Sequence, residues 1–171
     1  MIRRATEKDL EAVIALYEDI HTAEEAGTLT IGWIRGVYPT ARTAEQALEN
    51  GELFVAEDGG LVGAAIINQK QVDTYRDAKW EYPAPDREVM VLHTLVIAPG
   101  ASGKGYGREF VRFYEAYALA HHCRYLRMDT NAKNRRARAL YEKLGYREIG
   151  IIPTVFNGIE GVQLVLLEKA L

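Results

Sequence analysis

The sequence predicts an α/β fold of about seven strands and about four helices, with residues 1–171 forming one domain. Short apolar runs bounded by glycine or proline turns alternate with segments whose apolar residues recur every three to four positions. No repeat, low-complexity tract or linker interrupts the 171 residues, and this length suits one sizeable core. The composition, 48% hydrophobic and 26% charged, is that of an ordinary globule.

Met1 to Arg4 reads as a short strand. Thr6 is placed to cap a helix, with Asp9 three residues on and Leu10, Val13, Ile14 and Tyr17 as its apolar stripe. The connection from His21 to Thr40 carries four punctuating residues, Gly27, Gly32, Gly36 and Pro39. Its aromatics, Trp33 and Tyr38, suit either core or the wall of a pocket. Thr43 is placed to cap a second helix ending near Gly51. Leu53 to Glu57 and Leu61 to Asn68 form a hairpin around Asp58-Gly59-Gly60. Gln69 to Glu88 has no clear period but holds Tyr75, Trp80 and Tyr82. A loop that long, rich in aromatics, suits a lid over a substrate site or a flap that packs on the sheet or on a partner subunit.

Val89 to Ile97 is the most apolar run and belongs at the sheet centre with both faces covered. A helix from Arg108 to about His121 follows, with Phe110, Tyr114 and Tyr117 inward. Tyr125 to Asp129 is a strand. Asn134 then opens a helix with Ala137, Leu140, Tyr141 and Leu144 on one stripe, closed by Gly145. Tyr146 to Ile152 and Val162 to Glu168 are the last strands, linked by Pro153 to Gly161.

The totals exclude several classes. A net charge of −3 argues against a general nucleic-acid binder. The single cysteine, Cys123, forbids an internal disulfide and leaves no metal cluster, and between a helix and a strand it reads as a buried structural thiol. No apolar run approaches the ~20 residues of a membrane span, and no signal-peptide core opens the chain. A cytoplasmic protein without membrane or nucleic-acid partners is expected.

The most informative stretch is Leu95 to Gly107, LVIAPGASGKGYG. It joins a strand to a helix through a glycine-rich turn. The first amides of a helix lack partners within it, and its dipole leaves that end partly positive. Loop amides can converge on an anion, and glycine lets the backbone come close. A diphosphate is therefore expected here. The nucleotide P-loop is a poor match, because Lys104 is followed by Gly105 and not by a hydroxyl residue. The dinucleotide pattern G-x-G-x-x-G begins at Gly103-Lys104-Gly105 but meets Arg108 at its third glycine. Asp129 stands about 20 residues on, where that pattern wants a ribose-binding acid. A nicotinamide-dependent oxidoreductase thus stays open as an alternative.

Ser102-Gly103-Lys104-Gly105-Tyr106-Gly107 resembles the pyrophosphate loop Q/R-x-x-G-x-G/A of the GNAT acyl-CoA N-acetyltransferases, except that Ser102 replaces the long first residue. Two more segments resemble that family. Leu95-Val96-Ile97-Ala98-Pro99 is similar to its strand ending, and Asn134 to Tyr146 matches N-x-x-A-x-x-L-Y-x-K-x-G-[FY] at every specified position. The resemblance is strong from Val89 to Tyr146 and rests on element order before that. It implies the GNAT fold, with a central, mixed, mostly antiparallel sheet, and acetyl-CoA as cosubstrate with no metal. It also implies that Leu95, Val96 and Ile97 pair with pantetheine, that Ser102 to Gly107 hold the diphosphate, and that Asn134 bonds the pantetheine arm. Asn134 equally suits a helix N-cap. The basic residues Lys133, Arg135, Arg136 and Arg138 suit a solvated face or the 3′-phosphate of CoA.

The implied reaction is acetyl transfer to a primary amine of a small molecule or peptide, by direct attack in a ternary complex. It needs a base for the amine, donors for an oxyanion and an acid for the thiolate. Thiols titrate near about 8.5 and tyrosines near about 10, so a tyrosine can supply that proton at neutral pH. Tyr141 resembles the family's tyrosine in this role, and a backbone N–H near Leu95 would meet the oxyanion. His93 is the candidate base, though it equally suits a buried histidine satisfied by hydrogen bonds; a water chain to Glu88 or Asp129 is another route, and an amine of low pKa would need no dedicated base. Trp33, Tyr38, Trp80, Tyr82 and Phe156 should contact the acceptor, and aromatics suit an apolar or cationic amine. A non-catalytic acyl-CoA-binding domain is the other alternative. Family members often dimerise, which leaves a homodimer open.

Overall fold

Seven strands lie in one sheet, ordered β1-β2-β3-β4-β5-β7-β6, in a computed structural model that describes residues 1–171. The strands are β1 (Ile2–Arg4), β2 (Leu53–Glu57), β3 (Leu61–Asn68), β4 (Val89–Ile97), β5 (Tyr125–Asn131), β6 (Arg147–Phe156) and β7 (Ile159–Ala170). The helices are α1 (Leu10–Glu25), α2 (Ala41–Glu49), α3 (Tyr106–Ala120) and α4 (Arg135–Lys143). All neighbours pair antiparallel except β4 and β5, which run parallel and are joined through α3. A parallel pair needs such a crossover, because no tight turn can return the chain to the same end. The expected sheet, mixed and mostly antiparallel, is present with β4 in the middle.

The two sheet faces are packed by different elements. Phe54, Ala65, Met90, Leu92 and Met128 face the inner stripe of α3, Phe110, Val111, Tyr114 and Ala118, together with Tyr141 of α4. On the other face Leu53, Val55, Ala64 and Val96 meet Val13, Leu16, Tyr17 and Ile20 of α1 and Ala44 and Ala47 of α2. Farther along that face Val89 and Val91 pack with Tyr75 and with Ile159, Val162, Leu164 and Leu166 of β7. Burial of β4 on both faces explains its nearly unbroken apolar sequence.

Several boundaries differ from the sequence reading. The α2 cap is Thr40, whose N–H donates to Thr43 Oγ1 at 3.0 Å, so Thr43 lies inside the first turn. The presumed link from Pro153 to Gly161 is mostly strand, with β6 and β7 joined at Asn157-Gly158. Pro153 is tolerated because β6 is an edge strand and one of its sides needs no donors.

The segment Gln69–Glu88 does not cover the cavity, whose lining it reaches only at Val72. It packs on the sheet, held by two buried charges. Arg127 of β5 donates to Gln71 Oε1 at 2.6 Å and to the Tyr82 carbonyl at 3.1 Å, and its guanidinium lies 4.3 Å from the Trp80 ring centroid. Glu168 of β7 accepts the Glu81 N–H at 2.6 Å and the Tyr82 N–H at 3.3 Å. A buried charge is costly unless hydrogen-bonded, and this loop supplies the bonds.

The connection between α1 and α2 is anchored in a similar way. Glu24 accepts the N–H groups of Ile31 and Gly32 at 2.7 and 2.9 Å, and buried His21 donates from Nε2 to the Pro39 carbonyl at 2.8 Å. No helix is long and apolar enough to cross a membrane.

Where β4 and β5 pair, the buried Tyr114 hydroxyl lies 2.6 Å from the Met90 carbonyl and 3.2 Å from the Arg127 carbonyl, tying α3 to both strands. Tyr114→Phe should keep the fold and lower stability by about 1 kcal/mol, the net worth of a typical buried hydrogen bond. Urea unfolding followed by circular dichroism measures it.

Candidate functional site

The site begins where two strands part. β4 and β5 pair only from Val89–Tyr125 to Leu92–Met128. Beyond that rung β5 stays with β7 through Asn131–Leu164, while β4 follows β3. A bulge in β4 drives the divergence. His93 pairs with Ile66 and Val96 with Ala64, so two residues, Thr94 and Leu95, oppose Ala65 alone. Thr94 has φ 49°, in the left-handed region that disfavours a β-branched residue. Its hydroxyl is hydrogen-bonded to the hydroxyl of Tyr38, which steadies the bulge from the α1–α2 connection. From His93 onward the β5-facing edge of β4 has no strand partner.

The glycine turn lies beside that edge. Gly103 and Gly105 have φ 81° and 94°. The N–H groups from Gly103 through Arg108 donate to no acceptor in the chain, and the first helical bond of α3 is Glu109 N–H to the Gly105 carbonyl. Six successive free donors at a helix N-terminus make a strong anion cradle. Gly107 packs closely on α4, where a Cβ would lie 3.2 Å from the Leu140 side chain. The cradle fits the diphosphate ester that the sequence led us to expect.

Asn134 caps α4, its Oδ1 accepting the Ala137 N–H at 3.2 Å. Capping uses only the carbonyl oxygen, so the amide NH2 of Asn134 remains available where the residue lines the cavity. About two helical turns farther on is Tyr141, packed among core residues, with a hydroxyl that has no hydrogen-bond partner and borders the cavity. Burial, reinforced by the charge of Asp129, raises the Tyr141 phenol well above its ordinary value. It is a proton donor at any physiological pH.

Asp129 is the only carboxylate lining the cavity. Its Oδ2 accepts the hydroxyl of Tyr75 at 2.6 Å. Burial pushes the carboxyl up to about 6, and the Tyr75 bond acts in the opposite direction. Tyr38 is raised by burial to about 12, so its hydroxyl too stays protonated.

The cavity, about 1010 Å³, is lined by most of the expected site residues. Leu95, Val96, Ile97, Ser102, Gly103, Gly105, Tyr106, Gly107, Asn134 and Tyr141 all border it, as do Trp33, Tyr38 and Phe156. The Trp33 and Tyr38 rings meet edge-to-face with centroids 6.1 Å apart. Lys104 is exposed and outside the lining, so only its backbone belongs to the cradle.

Other expectations are corrected. Trp80 and Tyr82 do not reach the cavity, because Arg127 and Glu168 hold their loop against the sheet. Glu88 sits at the opposite end of β4, beside Arg87. His93 borders the cavity, but its Nε2 is hydrogen-bonded to the Asn68 side chain at 2.8 Å and burial lowers its pKa to about 4. It is therefore a weak base. Cys123 is buried with its thiol near the Arg87 and His121 carbonyls, and burial raises its pKa, as befits a structural thiol.

Residues absent from the sequence reading of the site include Thr94, Tyr75 and the β7 side chains Ile159, Val162 and Leu164. No local pattern marks them, since each depends on a contact distant in sequence. No cluster of residues suited to a metal is present.

Comparison with known proteins agrees with this geometry. The family model for the acetyltransferase (GNAT) family matches residues 10–146. No curated protein sequence matches the chain. Among solved structures, a GNAT family acetyltransferase from Streptococcus agalactiae superposes with TM-score 0.82 at 24% identity, over 100% of this chain and 95% of the other. A ribosomal-protein-alanine N-acetyltransferase from Brucella melitensis gives 0.73 at 25% identity, over 100% and 99%. The yncA protein of Salmonella typhimurium, solved with its cofactor acetyl-CoA, gives 0.68 at 18%, over 99% and 92%. The strand parting, the amide cradle and the family match lead to one conclusion: the chain belongs to the GNAT family of acetyl-CoA-dependent N-acetyltransferases.

Proposed function

We propose that residues 1–171 act as one domain that transfers the acetyl group of acetyl-CoA to the primary amine of a small molecule or peptide, by direct attack within a ternary complex. The observation that carries this is the coincidence, in one cavity, of six free amides, an unpaired strand edge and an unpartnered tyrosine hydroxyl. Acetyl-CoA supplies an activated thioester. The Gly103–Arg108 amides would hold its diphosphate, with Arg136, whose guanidinium lies near Gly103, adding positive charge. The free edge of β4 at Leu95, Val96 and Ile97, with the Asn134 amide, would bind the pantetheine arm.

Asp129 is the base in this reading in preference to His93. A carboxyl titrating at about 6 is ionised at neutral pH yet basic enough to take a proton from an arriving ammonium. The amine then attacks the thioester carbonyl, a backbone N–H at the Thr94–Leu95 bulge stabilises the oxyanion, and Tyr141 donates its proton to the departing thiolate. The products are an amide and CoA: of the two protons the ammonium nitrogen loses, the first goes to Asp129, and the second, released as the tetrahedral intermediate collapses, replaces the proton that Tyr141 gives to the thiolate. Attack is direct, so Cys123 is not needed.

Tyr141→Phe should lower kcat by about 10² to 10⁴, the usual worth of a positioned general acid, while acetyl-CoA affinity measured by calorimetry stays the same. Unchanged kcat would remove Tyr141 from the chemistry. The pH profile of kcat/KM should rise through about 6 as Asp129 ionises. Tyr75→Phe removes a bond that favours the ionised carboxylate, so this limb should move to higher pH. A limb that stays in place would mean that another group is the base.

A further inference from the structure

We infer that the acceptor is a compact monoamine with an apolar body and no carboxylate. This deepens, and rests on, the acyl-transfer reading above.

The cavity is chemically two-ended. Its cationic side chains, Arg108, Lys133, Arg135 and Arg136, all come from the first turn of α3 and from the β5–α4 turn and the α4 start, around the amide cradle. The segments that wall the other end bring no cation. They bring Trp33, Tyr38, Phe156, Ile159, Val162 and Leu164. His93, the one titratable ring on β4, is neutral at physiological pH because burial lowers it to about 4. The only charge offered to an acceptor there is the Asp129 carboxylate, braced by Tyr75.

This arrangement selects by charge. One ammonium can pair with Asp129, and aromatic faces favour a cation further. A second ammonium on the same molecule would leave water without a partner. The carboxylate of an α-amino acid would stand beside Asp129, like charge against like, in surroundings that offer it no cation. Size is limited as well. The β6–β7 turn meets the α1–α2 connection, where a Cβ at Gly158 would lie 3.3 Å from Val37 Cγ1. The connections that carry Trp33, Tyr38 and Phe156 thus touch just behind the lining, an arrangement that suits a compact body better than an extended peptide.

The test uses the wild-type protein. Acetyl-CoA binding is measured by calorimetry, and thiol release is then followed with 2-phenylethylamine, L-phenylalanine, 1,4-diaminobutane and a tetrapeptide with a free N-terminus. We expect kcat/KM for 2-phenylethylamine to exceed that for each of the others by about 100-fold or more, as when a buried polar group is left unpaired. Trp33→Leu should raise KM for 2-phenylethylamine and leave acetyl-CoA affinity unchanged. Comparable or better turnover of the amino acid, the diamine or the peptide would overturn the inference, as would no turnover of 2-phenylethylamine by protein that binds acetyl-CoA. No binding of acetyl-CoA would instead overturn the acyl-transfer reading beneath it.

Discussion

The site depends on a divided allegiance in the middle of the sheet. β4 is hydrogen-bonded to β3 along most of its length, and β5 to β7 along all of its own, yet β4 and β5 share only four rungs. The extra residue at Thr94–Leu95 turns β4 away just where β5 continues straight. A strand edge with no partner is a liability in most proteins, because unpaired backbone groups are costly when buried. Here the same edge is a row of preformed donors and acceptors facing a cavity. The bulge is held by Tyr38 from one direction, and the zipped part of the pair by Tyr114 from the other, so the parting has a definite position.

The charges are sorted along that opening. Donors and cations collect at the end where α3 and α4 begin, where unpaired amides and the α3 dipole already favour an anion. The acid stands alone at the other end, in surroundings apolar enough to raise Asp129 to about 6 and to keep Tyr141 and Tyr38 protonated. Burial thus sets one carboxylate of raised pKa apart from two protonated hydroxyls within one cavity. The loop that brings Tyr75 to Asp129 steadies that one carboxylate.

What could be read in the sequence is what is local. The glycine turn and the Asn134–Tyr146 segment carry their meaning in residues a few positions apart, and both lie where expected. The central place of β4 follows from its unbroken apolar run. Trp80 and Tyr82 were misread because the residues that hold their loop, Arg127 and Glu168, lie dozens of positions away. The extent of β6 and β7 was hidden by Pro153 and Gly161, which end strands in isolation but are tolerated at a sheet edge and in a twisted hairpin. The bulge exists only in the register between β3 and β4, so no local pattern marks it and only the family resemblance implies it. Asp129 could be noticed as a lone acid in a strand, but its partner Tyr75 and its elevated pKa are products of tertiary packing.

The central claim is that one cavity aligns acetyl-CoA along the free edge of β4 with its sulfur at Tyr141. A crystal structure of the protein with bound CoA tests this most directly. The account predicts the diphosphate on the Gly103–Arg108 amides, the pantetheine paired with β4 past Leu92, and the thiol within hydrogen-bonding reach of the Tyr141 hydroxyl. A CoA bound elsewhere, or one whose thiol lies away from Tyr141, would contradict it.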